Sequence, residues 1–271
     1  MLLEIMLYAS ARTTPELARL GLKGDAVALW SRATRCRSAW APHEARCYAA
    51  VRAATADLQR RHTALVLGSG LLRDVPLAHL IESFQRVILV DAVHLVPARW
   101  RARHPKVELV TADLSGVAAW LAGEAGGRMD PLAAFRDDPR IDFVLSANLL
   151  SQLPMAVEAW CERYPRRADR LPTDLPRQIV PWHLQDLAGF ASRVCLLTDV
   201  RHQEIGRDGA LVEETDLLRG ETLPEPDEAW FWEVAPRGEV SRNAAHIHRV
   251  HAFHDLGQAR ARHASALIEA G

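Results

Sequence analysis

The chain has 271 residues, 49% hydrophobic and 25% charged, the balance of an ordinary globular protein and not of a disordered or fibrous one. Its 33 basic and 34 acidic residues leave a formal net charge of −1, so no global field draws it to nucleic acid or to an anionic membrane. No apolar run approaches the roughly 18 to 20 residues that span a bilayer, and four scattered cysteines without a CxxC pair point to reduced thiols and a cytoplasmic setting.

The opening residues 1–7 are apolar but short, carry Glu4 and have no basic stretch ahead of them, so they do not read as a secretory signal. Residues 1–61 read as a helical extension or lid. Thr13-Thr14-Pro15-Glu16 is a start signal, with a hydroxyl cap, a proline in the first turn and an acid near the positive helix end. Gly24-Asp25 restarts a second helix through about Arg37. Ala41-Pro42-His43-Glu44 opens a third, with Tyr48, Val51, Ala54 and Leu58 at helical spacing up to Arg61.

Residues 62–271 read as one cofactor-binding catalytic domain. Thr63-Ala64-Leu65-Val66-Leu67 is a continuous apolar run ending on glycine, the pattern of a strand buried on both faces. A helix over 77–84, a strand over 86–90 ending at Asp91, a helix over 97–104 and a strand over 107–110 follow. A helix over 114–121, a polar loop to about 140, and a strand over 141–146 come next. Helices over 156–164 and 182–190 flank the approach to a fifth strand at 193–198. Two further strand-like runs, 230–234 and 247–253, make an antiparallel pair, and 255–270 a final helix. Such alternation implies a Rossmann-like, doubly wound α/β sheet, mostly parallel, closed by a C-terminal antiparallel pair.

In an open parallel sheet, ligands sit outside the carboxyl ends of the strands, where the strand order reverses. The polar and small residues fall there. Gly68-Ser69-Gly70 follows the first strand, where backbone must turn tightly and approach a ligand without Cβ interference. Asp91-Ala92 follows the second, and its carboxylate suits two ribose hydroxyls. Asp113-Leu114 follows the third, where an acid accepts from an adenine amino group. Ser146-Ala147-Asn148 follows the fourth, where the reacting end of a cofactor meets its substrate. Each piece alone is weak; a strand-end aspartate is as often a helix cap.

Together these residues resemble the class I S-adenosylmethionine-dependent methyltransferase family over roughly residues 60 to 200, and with the closing pair to about 255. The resemblance makes Gly68, Ser69, Gly70, Asp91, Ala92, Asp113, Leu114 and Asn148 the cofactor-binding residues and S-adenosylmethionine the cofactor. The stretch from Ser146 to Pro154 is similar to that of small-molecule methyltransferases, and differs from the Asn-Pro-Pro-aromatic signature of amino-methylating nucleic-acid enzymes. A small-molecule substrate is thereby implied, with no nucleic-acid or membrane partner. Two positions depart from the family: Val66 replaces the acid two residues before the first glycine, and Leu72 stands where a third glycine often falls. Asp74 is a candidate substitute carboxylate. Candidates for catalysis are Asn148, His43 and His183, with Gln152 to position.

Other readings stand beside this one. A nicotinamide-dependent oxidoreductase would use Asp91 on a ribose, but Arg73 occupies the third glycine of its loop. A non-catalytic S-adenosylmethionine-binding protein would account for Val66. A transferase moving an aminopropyl or aminobutanoyl group would share the fold. The junction from Arg35 to His43 reads either as a lid over the cofactor or as a solvated face anchored by Trp40. His246, His248, His251 and His254 form the densest histidine run; His246 and His248 would share a strand face, but with no carboxylate or cysteine in the run no metal is assigned to them.

Overall fold

A computed structural model describes residues 1–270, with side chains through residue 266. The amino-terminal part forms helices α1 (Leu2–Ser10), α2 (Pro15–Arg19), α3 (Leu22–Arg35) and α4 (Arg37–Thr55). The alternating part follows as β1 (Thr63–Leu67), α5 (Leu77–Ser83), β2 (Arg86–Asp91), α6 (Val96–Arg101), β3 (Val107–Thr111), α7 (Ala118–Ala122), α8 (Ala133–Arg136) and β4 (Ile141–Ala147). Helices α9 (Leu153–Arg163), α10 (Pro165–Ala168) and α11 (Leu175–Ala188) lead to β5 (Arg193–Ile205), β6 (Leu211–Asp216), β7 (Glu228–Ala235), β8 (Ala245–Phe253) and α12 (Leu256–Ala270). Among the described residues no helix is long and apolar enough to cross a membrane.

The strands make one eight-stranded sheet in the order β3-β2-β1-β4-β5-β8-β7, with β6 paired to β5 off that path. Neighbours from β3 to β5 are parallel. β8 runs antiparallel to both β5 and β7, so the sheet is the mostly parallel one expected, with its closing antiparallel pair.

Alternation along each strand sorts the core into two layers. Ala64, Val66, Val87, Leu89, Phe143, Leu145, Cys195 and Leu197 pack on one face with Trp40, Cys47, Ala50, Val51 and Ala54 of α4. Leu65, Leu67, Ile88, Val90, Val144, Val194 and Leu196 pack on the other with Val180, Leu184 and Leu187 of α11 and Leu256 of α12. α4 is therefore a covering helix of the sheet. It is fastened there by Trp40 Nε1, which donates to the Val234 carbonyl at 3.0 Å, while Arg35 just before it pairs with Glu239.

Several boundaries differ from the sequence reading. The break between the second and third helices falls at Cys36 and not at Pro42, which lies inside α4. Likewise Pro181 lies inside α11, which starts at Leu175. α7 starts late, at Ala118, because Asp113 and Ser115 shape a turn ahead of it. β5 runs to Ile205, and β6, exposed along nearly its whole length, pairs with its outer half.

Candidate functional site

The strand order reverses beside β1: β2 and β3 lie on one side, β4 and β5 on the other. The crevice beyond β1 and β4 is thus the switch point where ligands bind in open sheets. Gly68 and Gly70 line it in left-handed conformations, at φ +75° and +47°, which only glycine adopts without strain. The Gly68 and Ser69 N–H groups both donate to the Val90 carbonyl, at 3.0 and 3.1 Å. A Cβ on Gly68 would stand 2.8 Å from Leu149 Cβ and 3.2 Å from the Ala147 carbonyl oxygen. The loop after β1 therefore lies directly against the loop after β4.

Asp91, at the end of β2, supports this loop from below. Its Oδ2 accepts from the Gly70 N–H at 2.7 Å and its Oδ1 from the Val93 N–H at 3.1 Å. Burial raises its pKa while those backbone donors pull the other way. Two acceptor directions remain on such a carboxylate after two bonds. Ala92 is half-buried, and its carbonyl accepts from Thr13 Oγ1 at 2.8 Å. Arg12 and His94 exchange backbone hydrogen bonds at 3.1 and 2.9 Å, so the segment before α2 is pinned to the loop after β2.

Asp113 is taken up by the turn that leads into α7. Its Oδ1 accepts from Ser115 N–H and Oγ–H, at 2.9 and 2.5 Å, and its Oδ2 from the Ala118 N–H at 2.7 Å. Leu114 beside it is buried in the core layer of α11.

At the end of β4, Asn148 leaves the strand at φ +48°, a conformation asparagine tolerates better than most residues. Its Nδ2 donates to Asp74 Oδ2 at 2.6 Å, and its carbonyl accepts from Gln152 Nε2 at 2.6 Å. Burial pushes Asp74 up to about 6, against the bond from Asn148. Two buried side-chain oxygens in the crevice have no partner, Ser69 Oγ and Asn148 Oδ1. Ser69, Asn148 and His43 are only 1%, 3% and 3% exposed, so the crevice is closed over by α4. A cavity of about 360 Å³ lined by Glu16, Arg19, Trp160 and Arg167 lies elsewhere, between α2, α7 and α9.

The two histidines expected at the site differ in placement. His43, on α4, lies beside Asn148, with its Nε2 3.4 Å from Asn148 Nδ2 and 3.5 Å from Cys47 Sγ. Trp230 Nε1 donates to His43 Nδ1 at 3.1 Å, which fixes the proton of a neutral ring on Nε2. The ring stacks on Trp232 at 4.0 Å and 9°. His183, on α11, sits on the opposite face of the sheet, its Nε2 3.1 Å from Ser146 Oγ. Burial drops both to about 3. Both rings are therefore neutral, and the lone pair of His43 is already spent on Trp230. Neither environment favours a general base, which works best with a pKa near the working pH.

The fold thus brings Gly68, Ser69, Gly70, Asp91, Asn148 and His43 together, with Asp74 among them, and leaves His183 and the turn-bound Asp113 outside that cluster. Asp199, on β5, borders the same region: its Oδ1 accepts from Ser151 Oγ and its Oδ2 from His248 Nδ1. It directly follows the apolar run 193–198, which is readable in the sequence, but the partnership with His248 depends on strand register.

No family model matches the chain, and no curated protein does. Among solved structures it is similar to Burkholderia thailandensis 1,6-didemethyltoxoflavin-N1-methyltransferase with bound 1,6-didemethyltoxoflavin and S-adenosylhomocysteine. That similarity has 17% identity over 84% of this chain and 86% of that one, at a TM-score of 0.40. It is similar as well to the N-methyltransferase NodS from Bradyrhizobium japonicum WM9 in complex with S-adenosylhomocysteine, with 12% identity over 76% and 85% of the chains and a TM-score of 0.33. What this chain does is accordingly read from its own residues.

Proposed function

We propose that this chain is an S-adenosylmethionine-dependent methyltransferase acting on a small molecule. The observation that carries the reading is the composition of the switch-point crevice. A left-handed glycine loop is held by Asp91 through Gly70, and a half-buried carboxylate, Asp74, is fixed by Asn148 at the facing strand end. Ser69 Oγ and Asn148 Oδ1 add two buried oxygens without partners, which suits a ligand rich in donors.

The cofactor, when bound, supplies a methyl group already activated on a sulfonium. The chain then has only to bind, align and exclude water. Asp91 accepts from the ribose hydroxyls with the directions that Gly70 and Val93 leave open. Asp113 keeps one such direction on Oδ2, beside its turn bonds, for an adenine amino group. Asp74 faces the cofactor's ammonium and so replaces the acid that Val66 lacks. Asn148 holds Asp74 in place and lines the acceptor side. Because burial leaves His43 and His183 weak bases, an acceptor that presents a free lone pair suits the site best.

The oxidoreductase reading asks for a pyrophosphate seated on a helix N-terminus directly after the glycine loop. Here α5 starts only at Leu77, and Arg73, at the third glycine position, is paired with Glu44. A non-catalytic binding protein is the second reading, favoured by the two silent histidines. Methyl transfer from labelled cofactor onto a small-molecule panel separates it from the enzyme.

The test isolates Asp74. S-adenosylhomocysteine carries the ammonium and 5′-methylthioadenosine does not. Asp74→Asn is expected to weaken the first by about ten-fold or more, as for a lost charged hydrogen bond, and to leave the second unchanged. Equal effects on both ligands, or none on either, would remove Asp74 from the role.

A further inference from the structure

The outer half of β5 pairs with β8 so that His202 stands opposite His248 and Glu204 opposite His246. Directly opposed residues of an antiparallel pair point to one face, and residues two apart on a strand share it. Four chemistry-bearing side chains therefore converge above the sheet: His202, Glu204, His246 and His248. The histidine run alone lacks a carboxylate. The register supplies one, together with a further imidazole.

Three donor atoms form a compact triangle. His202 Nε2 is 3.2 Å from His246 Nδ1, and Glu204 Oε1 is 3.7 Å from His246 Nδ1 and 4.0 Å from His202 Nε2. Ligands held at 2.0 to 2.1 Å by a tetrahedral zinc ion lie roughly 3.3 Å apart, so a small contraction at the glutamate closes the triangle on such an ion. Among the described residues these three make the group of histidine and carboxylate donors spaced for a metal. His202 and Glu204 are half-buried and His246 is buried, which shelters the triangle while leaving a side for entry. Glu204 has no arginine or lysine partner among the described residues; the two imidazoles are what it faces.

A supporting shell orients the ligands. His248 Nδ1 is 2.5 Å from Asp199 Oδ2 and its Nε2 is 3.0 Å from His202 Nδ1. The carboxylate requires the proton of His248 on Nδ1, so its Nε2 accepts from His202 Nδ1–H. That leaves the lone pair of His202 on Nε2, at the triangle. Metal-ligating histidines are oriented in this way, by a chain of hydrogen bonds ending on a carboxylate. Asp199 also accepts from Ser151 in the segment after β4, so the shell reaches the border of the switch-point crevice.

We infer that His202, His246 and Glu204 bind one divalent transition-metal cation, zinc by preference, with a fourth position open to water or a ligand. Two imidazoles and one carboxylate suit zinc and the later first-row ions, not calcium or magnesium. The site does not depend on the cofactor reading.

The test uses the full chain stripped of metal. Zinc is titrated in competition with a chromogenic chelator, and cobalt(II) is followed by its visible absorption. One equivalent is expected to bind, with the intense bands of a tetrahedral cobalt centre. Glu204→Gln, half-exposed and nearly isosteric, is expected to fold as the parent does by circular dichroism and to bind about ten-fold or more weakly. Asp199→Asn, which loosens the supporting shell, should lower affinity by about ten-fold. His254→Ala, whose ring pairs with Glu228, should leave binding unchanged. No stoichiometric zinc binding by the parent chain, or equal affinity in the parent and Glu204→Gln, would overturn the site and leave a relay of hydrogen-bonded imidazoles in its place.

Discussion

Gly68 and Gly70 share a left-handed backbone but not the same room. A Cβ at Gly70 meets nothing nearer than 3.8 Å, whereas at Gly68 it runs into Leu149. Gly70→Ala should therefore cost about 1 kcal/mol, the strain of the conformation alone. Gly68→Ala should cost roughly 2 to 4 kcal/mol, since overpacking adds to strain; urea denaturation of both variants reads the difference. His183 offers a second residue-scale check. It stays neutral in the fold, down to about 3 against an ordinary 6.5, because it is buried and near Arg128. The unfolded chain binds a proton below 6.5 that the folded chain refuses, so the stability due to the neutral ring is full above 6.5 and lost as pH falls toward 3. From pH 7 to 5 this one residue accounts for about 2 kcal/mol of loss. Denaturation of His183→Asn should show that much less dependence over the interval; an unchanged slope would mean that His183 titrates normally. The sequence puts Asp91 and Asn148 at strand ends because those ends are readable from apolar runs. It cannot distinguish Asp91 from Asp113, since what a carboxylate bonds to depends on the turn that follows, and Ser115 and Ala118 capture the second.

The same contrast holds for whole elements. Buried strands are plain as apolar runs, whereas β6 carries Glu213, Glu214, Thr215 and Asp216 on an exposed ribbon and shows no such signal. Pro42 has the look of a helix start and Pro181 immediately precedes the expected helix 182–190, yet both lie inside helices that begin earlier. A proline removes one backbone donor, and tertiary packing offsets that loss where the helix is wedged against a sheet. α4 is the clearest instance, carrying Trp40, Cys47, Ala50 and Val51 into the core. The polar latch on this helix is Trp40 Nε1 on the Val234 carbonyl. Trp40→Phe keeps an aromatic ring but trims the buried indole and leaves that carbonyl unpaired, so a loss of at least about 1 to 3 kcal/mol in denaturation is expected. A change within a few tenths would show that α4 is held by apolar packing alone. Hydrogen exchange should rank the strands likewise, with the amides of exposed β6 exchanging well before those of fully buried β1 and β4.

At the scale of the molecule, the sheet order places its switch point between β1 and β4, and polar groups from the ends of β1, β2 and β4 gather around it. The topology and the glycine loop after β1 are legible because they rest on local runs and turns. The closure of α4 over the crevice is legible only as one of two readings of Arg35 to His43, and the meeting of β5 with β8 not at all, because both rest on contacts between distant segments. The cofactor reading stands or falls on calorimetric titration of the purified chain with S-adenosylmethionine and S-adenosylhomocysteine, with NADH and NADPH alongside, repeated on Asp91→Ala. Binding of both sulfur compounds in the micromolar range, about ten-fold or more weaker in the variant and absent for the nicotinamides, is the predicted result. No binding of either sulfur compound, or a preference for a nicotinamide, would contradict it.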